Sequence, residues 1–281
     1  MILKATGNRP RADFAWVVVV VFTLGLTGCH PPEKSTVPAS ESKPAAQVWR
    51  NSLGMEFLPI PETNVLMSVW VTRVKDFAQF ADDTGYDASE NFYYYDKRSW
   101  RRDERYWRDP GFPQTDEHPV VGISWRDAAI FCAWLTDREH ASGMLSKQKV
   151  YRLPTDNEWT LASETDPPDF SYDRFANYHP NLEIDSFEIT SPVGFFPANR
   201  HGFFDMAGNV WEYCLDLKPY SDDLRVIRGG SWQNWHPRFV GSQARGFGGM
   251  DVRITIYGFR VVVADRDGRY EDMIRDARSV Q

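Results

Sequence analysis

Cysteine is scarce in this sequence, whose 281 residues include only Cys29, Cys132 and Cys214. No two of them form a Cys-x-x-Cys pair, and neither Cys132 nor Cys214 falls in a predicted loop. These two could pair in an exported protein, but two buried free thiols suit their positions better. Catalytic signatures are missing as well. No Gly-x-Gly-x-x-Gly follows a predicted strand, and no Gly-x-Ser-x-Gly or His-Glu-x-x-His occurs, so the common phosphate-loop, serine-hydrolase and zincin chemistries are excluded.

Basic residues are also fewer than acidic residues. The chain has 32 Lys and Arg residues against 39 Asp and Glu residues, which gives a formal net charge of −7. An acidic protein makes poor electrostatic contact with nucleic acid, so we expect no nucleic-acid partner and regard metal cations as more natural ones. Aromatic residues are plentiful, with 11 tryptophans, and they predict a substantial core and aromatic clefts.

The N-terminus has the pattern of a targeting segment. Basic residues precede an apolar run from Phe14 to Leu26, which is too short for an ordinary membrane-spanning helix and suits a signal-peptide core. The run ends in Leu-Thr-Gly-Cys, which resembles a bacterial lipobox. We therefore expect residues 1–28 to be a lipoprotein signal peptide and Cys29 to carry the lipid that anchors the protein to the membrane. The alternative is a plain secretory signal.

This interpretation places the protein in the cell envelope, outside the cytoplasm, and on the outer membrane if the organism is Gram-negative. Residues 29–46 are rich in Pro, Ser, Lys and Glu and predict a disordered tether. Residues 47–265 are long enough for one large domain. Residues 266–281 form a charged C-terminal tail, which we expect to fray or to form a short helix.

Periodicity within the domain predicts helices and strands without regular alternation, which favours an α+β fold. Capping boxes at Ser124 and Asp127, and at Thr155 and Glu158, mark the starts of two helices. Between residues 86 and 117, interleaved arginines and aromatics indicate either a ligand surface or an insertion pinned by its aromatics. The predicted strands cover 51–61, 65–71 and 118–123; the predicted helices cover 72–84, 124–140 and 155–162.

Five ordered blocks of sequence resemble the formylglycine-generating, or sulfatase-modifying factor, domain family. They are HPVVGISWRDAAIFCAWL from 118, YRLPTDNEW from 151, SPVGFFPANRHGFFDMAGNVWEY from 191, RVIRGGSW from 225 and YGFRVVV from 257. The resemblance covers about Asn51 to Ala264. It implies an α+β variant of the C-type lectin fold, with small twisted sheets, few helices and much irregular loop.

The resemblance implies chemistry that this sequence does not carry in full. Formylglycine-generating enzymes oxidise a sulfatase cysteine with two copper-binding cysteines that follow RGGSW shortly. Here residues 233–239 contain no cysteine, and Gln or Asn cannot replace a thiolate as a copper(I) ligand. Iron-dependent relatives use histidines, but this chain has no His-x-His or His-x-x-x-His pair. We therefore expect no formylglycine oxidase activity.

Calcium is the cofactor that the resemblance implies instead. At a first site the family pattern places side-chain oxygens of Asp205 and Glu212 and carbonyls of Gly208 and Val210. A second, looser site would use the side chains of Asn177 and Asp185 and the carbonyls of Tyr178 and Phe187. Ca²⁺ prefers six to eight such oxygens. The alternative is that Asp205 and Glu212 cap turns by accepting backbone N–H bonds.

The segment after RGGSW is the candidate wall of a working cleft, because it offers donors and acceptors beside an aromatic face. Its candidate binding residues are Gln233, Asn234, Trp235, His236 and Arg245. The sequence thus predicts a membrane-anchored module that binds a peptide, glycan or envelope protein. The alternatives are a divergent metal-dependent oxygenase, for instance one using His236, and an envelope assembly protein.

Overall fold

The fold was analysed in a computed structural model. It describes residues 48–90, 92–95, 99–102, 105–163, 176–177, 187–234, 236 and 239–279. Across these stretches no helix is long and apolar enough to span a bilayer. The predicted signal peptide and the whole predicted tether, which includes Cys29, lie outside the described residues, as do Tyr178, Asp185 and Trp235.

Twelve strands and four helices make up the described part of the chain, and their short lengths and broken order confirm the α+β class. The strands are β1 (Trp49–Arg50), β2 (Glu56–Pro59), β3 (Leu66–Ser68), β4 (Phe92–Tyr95), β5 (Trp100–Arg102), β6 (Lys149–Arg152), β7 (Trp211–Leu217), β8 (Leu224–Gly229), β9 (Gly241–Gly249), β10 (Arg253–Ile254), β11 (Tyr257–Gly258) and β12 (Val262–Asp265). The helices are α1 (Val74–Thr84), α2 (Trp125–Ser142), α3 (Asp156–Ser163) and α4 (Gly268–Arg278).

The strands form three small sheets. A five-stranded antiparallel sheet has the order β1-β2-β3-β12-β6, so the last strand of the chain is inserted between early ones. A four-stranded sheet has the order β11-β7-β8-β9, and a three-stranded sheet has the order β10-β4-β5. β11 pairs with β7 in parallel, which brings the GFR block beside the WEY block. This pairing positions the candidate site.

The helix starts follow the predicted capping chemistry. Ser124 accepts a bond from the amide of Asp127 at 3.2 Å, and the amide of Ser124 donates to Asp127 at 2.7 Å. At α3, the amide of Thr155 donates to Glu158 at 2.8 Å, and the Thr155 hydroxyl accepts from the amide of Glu158 at 3.1 Å. Each box satisfies backbone donors that the first helical turn leaves without partners.

The predicted strand at 118–123 is wrong, because that stretch makes only an isolated bridge between Arg73 and Pro119. His118 orders a turn there, and its Nδ1 accepts a bond from the amide of Thr115 at 3.0 Å. Sequence reasoning also missed β7, which has no clean alternation because four consecutive residues from Glu212 are buried. Burial on both faces removes the period-2 signal.

The charged tail forms α4, the second of the two alternatives for this segment. Asp267 caps it by accepting from the amide of Arg269 at 3.0 Å. Its Tyr270, Met273 and Ala277 are buried against the main core. Three apolar residues at a spacing of three and four are enough to dock a helix whose other positions are charged.

The described part of the 86–117 segment agrees with the pinned-insertion interpretation. Trp107 is only 3% exposed and packs edge-on against Phe77 of α1, with ring centroids 5.0 Å apart. Arg105 stacks over the ring of Tyr94, 4.0 Å from its centroid. These contacts use the aromatics and one arginine as internal anchors.

Candidate functional site

Glu212, in β7, is the centre of a buried charged cluster. Arg260 binds its carboxylate with two hydrogen bonds, from Nε at 2.6 Å and from Nη2 at 2.7 Å. The indole N–H of Trp159 donates a third bond at 2.7 Å. All three side chains are fully buried. The parallel pairing of β11 with β7 aligns Gly258 with Glu212, and this brings the nearby Arg260 within reach.

Arg260 also ties this cluster to two loops. Its Nη1 donates to the carbonyl of Ser68 at 3.2 Å, and its Nη2 donates to the carbonyl of Phe204 at 2.9 Å. Arg260 is thus a fully buried arginine that holds loop carbonyls. Its ion pair with Glu212 was not anticipated, because the two residues lie in blocks that are separated in sequence by RVIRGGSW.

Asp205 is the second buried carboxylate of the site. It is 4% exposed, has the left-handed backbone angle φ 56°, and accepts a bond from the amide of Gly194 at 2.8 Å. Burial raises the pKa of Asp205 to about 6, although the bond from Gly194 and the charge of Arg260 act in the opposite direction. The bond from Gly194 is the turn-capping contact that the alternative to calcium predicts.

The two carboxylates of the site differ in whether a positive charge neutralises them. Arg260 neutralises Glu212, whereas Asp205 has no ion pair within the described residues. The three groups therefore carry a net charge of −1 in a buried environment, which favours a bound proton or a bound cation. Glu212 fits a calcium ligand poorly because its two oxygens already accept three bonds. Asp205 fits better.

Backbone geometry brings the predicted calcium loops together. Gly208 has φ 76°, and a Cβ at this position would lie 2.2 Å from the carbonyl oxygen of Asn177. The amide of Asn209 donates to that carbonyl at 2.8 Å. Only glycine permits this approach. No group of three or more His, Cys, Asp or Glu side chains with metal-binding geometry occurs in the part of the chain that the structure describes. A cation beside Asp205 would therefore depend on carbonyls such as those of Gly208 and Val210.

The second predicted calcium site is only partly visible. The Asn177 side-chain amide donates to the carbonyl of Ile189 at 2.8 Å, which fixes the orientation of that side chain. Phe187 packs against Phe195 with ring centroids 4.7 Å apart. The remaining two predicted ligands, Tyr178 and Asp185, lie outside the described residues.

In the segment after RGGSW, one residue closes a turn, and two others lie at the surface. The side-chain carbonyl of Asn234 accepts from the amide of Ser231 at 2.7 Å and from its hydroxyl at 3.2 Å, so Asn234 closes its own turn. Gln233 is half-buried, and His236 is exposed. The ring centroids of His236 and Phe239 are 6.2 Å apart.

Arg245, the fifth candidate binding residue, lies on β9 beside the start of α3. Its side chain is 47% exposed and forms an ion pair with Asp156 at 3.0 Å. Arg228 approaches the same carboxylate at 2.8 Å from the buried side. Arg228 also donates to the carbonyl of Ser242 at 3.0 Å. Arg245 is thus held at the surface by the residue that anchors Arg228.

The two cysteines of the described chain are free thiols, as expected, and both are fully buried. Cys132 belongs to the main core, whereas Cys214 belongs to a smaller cluster around Trp159 and Met67. Burial raises the pKa of each thiol well above its ordinary value. Neither thiol lies in the segment after RGGSW.

Comparisons with known proteins identify relatives of this chain. The chain is 33% identical over 147 residues to the inactive C-alpha-formylglycine-generating enzyme 2 of Mus musculus, which covers 45% of this chain and 43% of the relative. It is 28% identical over 165 residues to the formylglycine-generating enzyme of Streptomyces coelicolor, covering 45% and 48%. This chain thus spans less than half the length of either relative.

The solved structure of PvdO from Pseudomonas aeruginosa has the same fold. It superposes with a TM-score of 0.60 and 20% identity, over 79% of this chain and 99% of PvdO. The profile of the sulfatase-modifying factor enzyme 1-like domain matches residues 38–265, which include every described residue of the candidate site. The chain therefore belongs to the sulfatase-modifying factor enzyme 1-like domain family.

Proposed function

We propose that this protein is an exported, lipid-anchored member of its family that binds a ligand or partner and does not oxidise cysteine to formylglycine. The observation that carries the proposal is the absence of cysteine from residues 233–239, where the family's oxidases have their copper-binding pair. Soft thiolate ligands select copper(I), and amide side chains do not replace them. The burial of Cys132 and Cys214 in separate clusters supports the same conclusion.

Calcium is the cation that we propose for the buried acidic site. Asp205 would supply the carboxylate, with the carbonyls of Gly208 and Val210 beside it, while Glu212 remains the counterion of Arg260. The uncompensated charge of Asp205 supports this assignment, since a hard cation would neutralise it without a proton. Bound calcium would stabilise the irregular loops that carry these ligands. The second site, at Asn177 and Asp185, stays a weaker proposal.

The ligand or partner would bind at the surface residues Gln233, His236 and Arg245, while the candidate Trp235 lies outside the described residues. His236 and Arg245 are exposed and present ring and guanidinium nitrogens, and Gln233 adds an amide. Such donors suit a peptide or glycan, in solution or on an envelope protein. Asn234 supports this surface from within because it closes the turn at Ser231.

An oxidase assay tests the central part of this proposal. The purified protein is loaded with copper(I) and incubated with a sulfatase-type cysteine peptide, and the aldehyde is trapped with a hydrazide probe. A formylglycine-generating enzyme serves as the positive control. We expect no aldehyde from this protein. Aldehyde formation above the copper-only background would overturn the proposal and favour a divergent metal-dependent oxygenase.

A matched pair of arginine variants tests the binding surface. Arg245 and Arg266 have similarly exposed side chains, 47% and 46%, and each pairs with a carboxylate. On glycan arrays and arrays of envelope peptides, we expect Arg245→Gln to weaken any ligand selected by the native protein, and Arg266→Gln to leave it unchanged. Equal binding by all three proteins would exclude this surface.

Membrane anchoring has a separate test. In cells, Cys29→Ser should move the protein from the membrane fraction to the soluble envelope fraction, because the lipid attachment atom is lost. Unchanged fractionation would contradict lipidation at Cys29.

A further inference from the structure

Strand β9 lies at one edge of the four-stranded sheet, whose order is β11-β7-β8-β9. It spans nine residues and pairs with β8 in an unbroken antiparallel register from Arg245 to Gly249. No strand of the described chain pairs with its other edge. A free edge presents N–H and C=O groups that a further strand can bind, so proteins commonly place lysine or proline on it. β9 contains neither.

The geometry of the β8–β9 ladder shows which backbone groups face the free edge. In an antiparallel pair, the residues of one strand alternate between bonding the partner strand and pointing away from it. The amide of Met250 donates to the carbonyl of Asp223 at 3.0 Å, which continues the register of the pair by one residue. Every second residue before Met250 therefore faces β8. Arg245 and Phe247, which lie between those residues, direct their amides and carbonyls towards the free edge.

The backbone groups of Arg245 and Phe247 have no hydrogen-bond partner outside the sheet among the residues that the structure describes. On either side of this stretch a carbonyl is already bonded, since Ser242 accepts from Arg228 and Gly249 accepts from the hydroxyl of Tyr213, each at 3.0 Å. The free part of the edge is thus short and defined. It offers donors and acceptors two residues apart, which is the spacing at which an added strand forms its hydrogen bonds.

The side chains beside this edge are exposed and carry an excess of positive charge. The side chain of Arg245 is 47% exposed and Phe247 is 41% exposed, and both lie on one face of β9 because they are two residues apart. Lys218 places its ammonium group 5.2 Å from the ring centroid of Phe247. Asp156 pairs with both Arg228 and Arg245, so these three groups carry a net charge of +1. An added strand would therefore meet an aromatic ring and a positive edge.

We propose that the free edge of β9 binds an extended peptide segment of a partner protein as an additional strand, with an acidic side chain beside Arg245 and an apolar side chain beside Phe247. This inference rests on the proposed function, because Arg245 belongs to the binding surface proposed there, and it narrows the ligand to an extended peptide. In this binding mode main-chain hydrogen bonds give affinity, and contacts to alternate side chains give specificity.

A second copy of this chain fits the same edge less well. Pairing two β9 strands about a two-fold axis at Gly246 would bring Arg245 of one copy to Phe247 of the other, where Lys218 already lies. Like charges at such positions are destabilising. An acidic segment of another protein meets no such repulsion.

Peptide arrays test strand addition on the whole protein. The arrays carry peptides of about eight residues, with Val or Thr at alternate positions. The central residue is Glu in one half of each array and Lys in the other half. We expect the bound peptides to come from the Glu half. No bound peptide, or equal binding from the Lys half, would overturn the proposal.

Methylation of backbone amides separates strand addition from binding through side chains. In a bound strand, one alternate set of peptide amides faces β9 and the other set faces away from it. In fluorescence anisotropy titrations of a selected peptide, we expect methylation of one set to weaken binding about tenfold or more and methylation of the other set to leave it unchanged. Equal effects of the two sets would overturn the proposal.

Two substitutions at one position test the edge from the side of the protein. Phe247→Pro removes the outward amide and Phe247→Thr keeps it, and proline is tolerated on an edge strand where its nitrogen faces solvent. We expect Phe247→Pro to bind the selected peptide about tenfold more weakly than Phe247→Thr, with the same circular dichroism spectrum. Equal binding by the two variants would overturn the proposal. If Phe247→Pro does not fold, the methylated peptides decide the question.

Failure of the added strand and failure of the proposed binding surface give different results. A ligand that depends on Arg245 but is insensitive to Phe247→Pro and to amide methylation would keep the binding surface and overturn strand addition. Sedimentation of the protein without peptide tests the second copy as occupant, and we expect no self-association through β9. A dimer that Phe247→Pro dissociates would show that a second copy covers the edge and would overturn the peptide proposal.

Discussion

The buried cluster of Asp205, Glu212 and Arg260 predicts that two substitutions at one ion pair have unequal effects. Arg260→Met removes the cation and leaves two uncompensated carboxylates. It also leaves the carbonyls of Ser68 and Phe204 without the donors that Arg260 supplies. Breaking a buried ion pair from one side costs about 3–5 kcal/mol. A domain of this kind has a free energy of unfolding of about 5–15 kcal/mol, so this variant should lose a large part of it.

Glu212→Gln removes the negative partner of the same ion pair and leaves Arg260 in place. Its amide oxygen can still accept from the indole of Trp159, and the remaining pair of Asp205 and Arg260 is electrically balanced. The loss is then mainly one charge-assisted hydrogen bond and a poorly matched amide, or about 1–3 kcal/mol. We therefore expect Arg260→Met to be more destabilising than Glu212→Gln by about 2 kcal/mol, the difference between these ranges.

Urea unfolding followed by tryptophan fluorescence measures both variants, since the chain contains 11 tryptophans. The midpoint and slope are compared with those of the native protein in a buffer with chelator, so that bound metal does not enter the comparison. Equal destabilisation by the two variants, or greater destabilisation by Glu212→Gln, would refute the charge count on which the site rests.

Three further predictions follow from other parts of the structure. Burial alone would raise the pKa of Glu158, but the bonds and charge of Arg152 hold this pKa below its ordinary value of 4.5. The stability that the ionised Glu158 contributes is therefore present above pH 4.5 and should be lost as the pH falls through the lower folded-state pKa. In a titration of the urea midpoint against pH, Glu158→Gln should remove this part of the pH dependence. Cys132 and Cys214 should resist a maleimide in the native protein and react in urea; rapid native labelling would contradict their burial. Deletion of residues 266–281 should lower the free energy of unfolding by about 3 kcal/mol or more, because two large side chains lose their buried contacts, and an unchanged unfolding midpoint would show that α4 does not dock.

Local chemistry explains which elements could be predicted from the sequence. The capping boxes at Ser124 and at Thr155 need only residues three positions apart, and both form as expected. β7 could not be found this way, because its buried run hides strand periodicity. The docking of α4 was left open, since a mostly charged segment gives little sign that Tyr270 and Met273 have a core to meet.

The candidate site shows the same division between local and distant contacts. The motif that contains Asp205 and Glu212 could be located by its residues. The partner of Glu212 could not be derived, because Arg260 is 48 residues away in sequence and reaches it only through the parallel pairing of β11 with β7. The role of Asn234 in its own turn is equally a matter of geometry rather than of residue type.

Metal analysis of the purified protein tests the central claim most directly. The protein is isolated without chelators, and calcium, copper and iron are quantified by mass spectrometry against protein concentration. A calcium-supported module without oxidase chemistry predicts calcium in a near-stoichiometric amount and only traces of copper and iron. Stoichiometric copper or iron would contradict the account and indicate a redox enzyme.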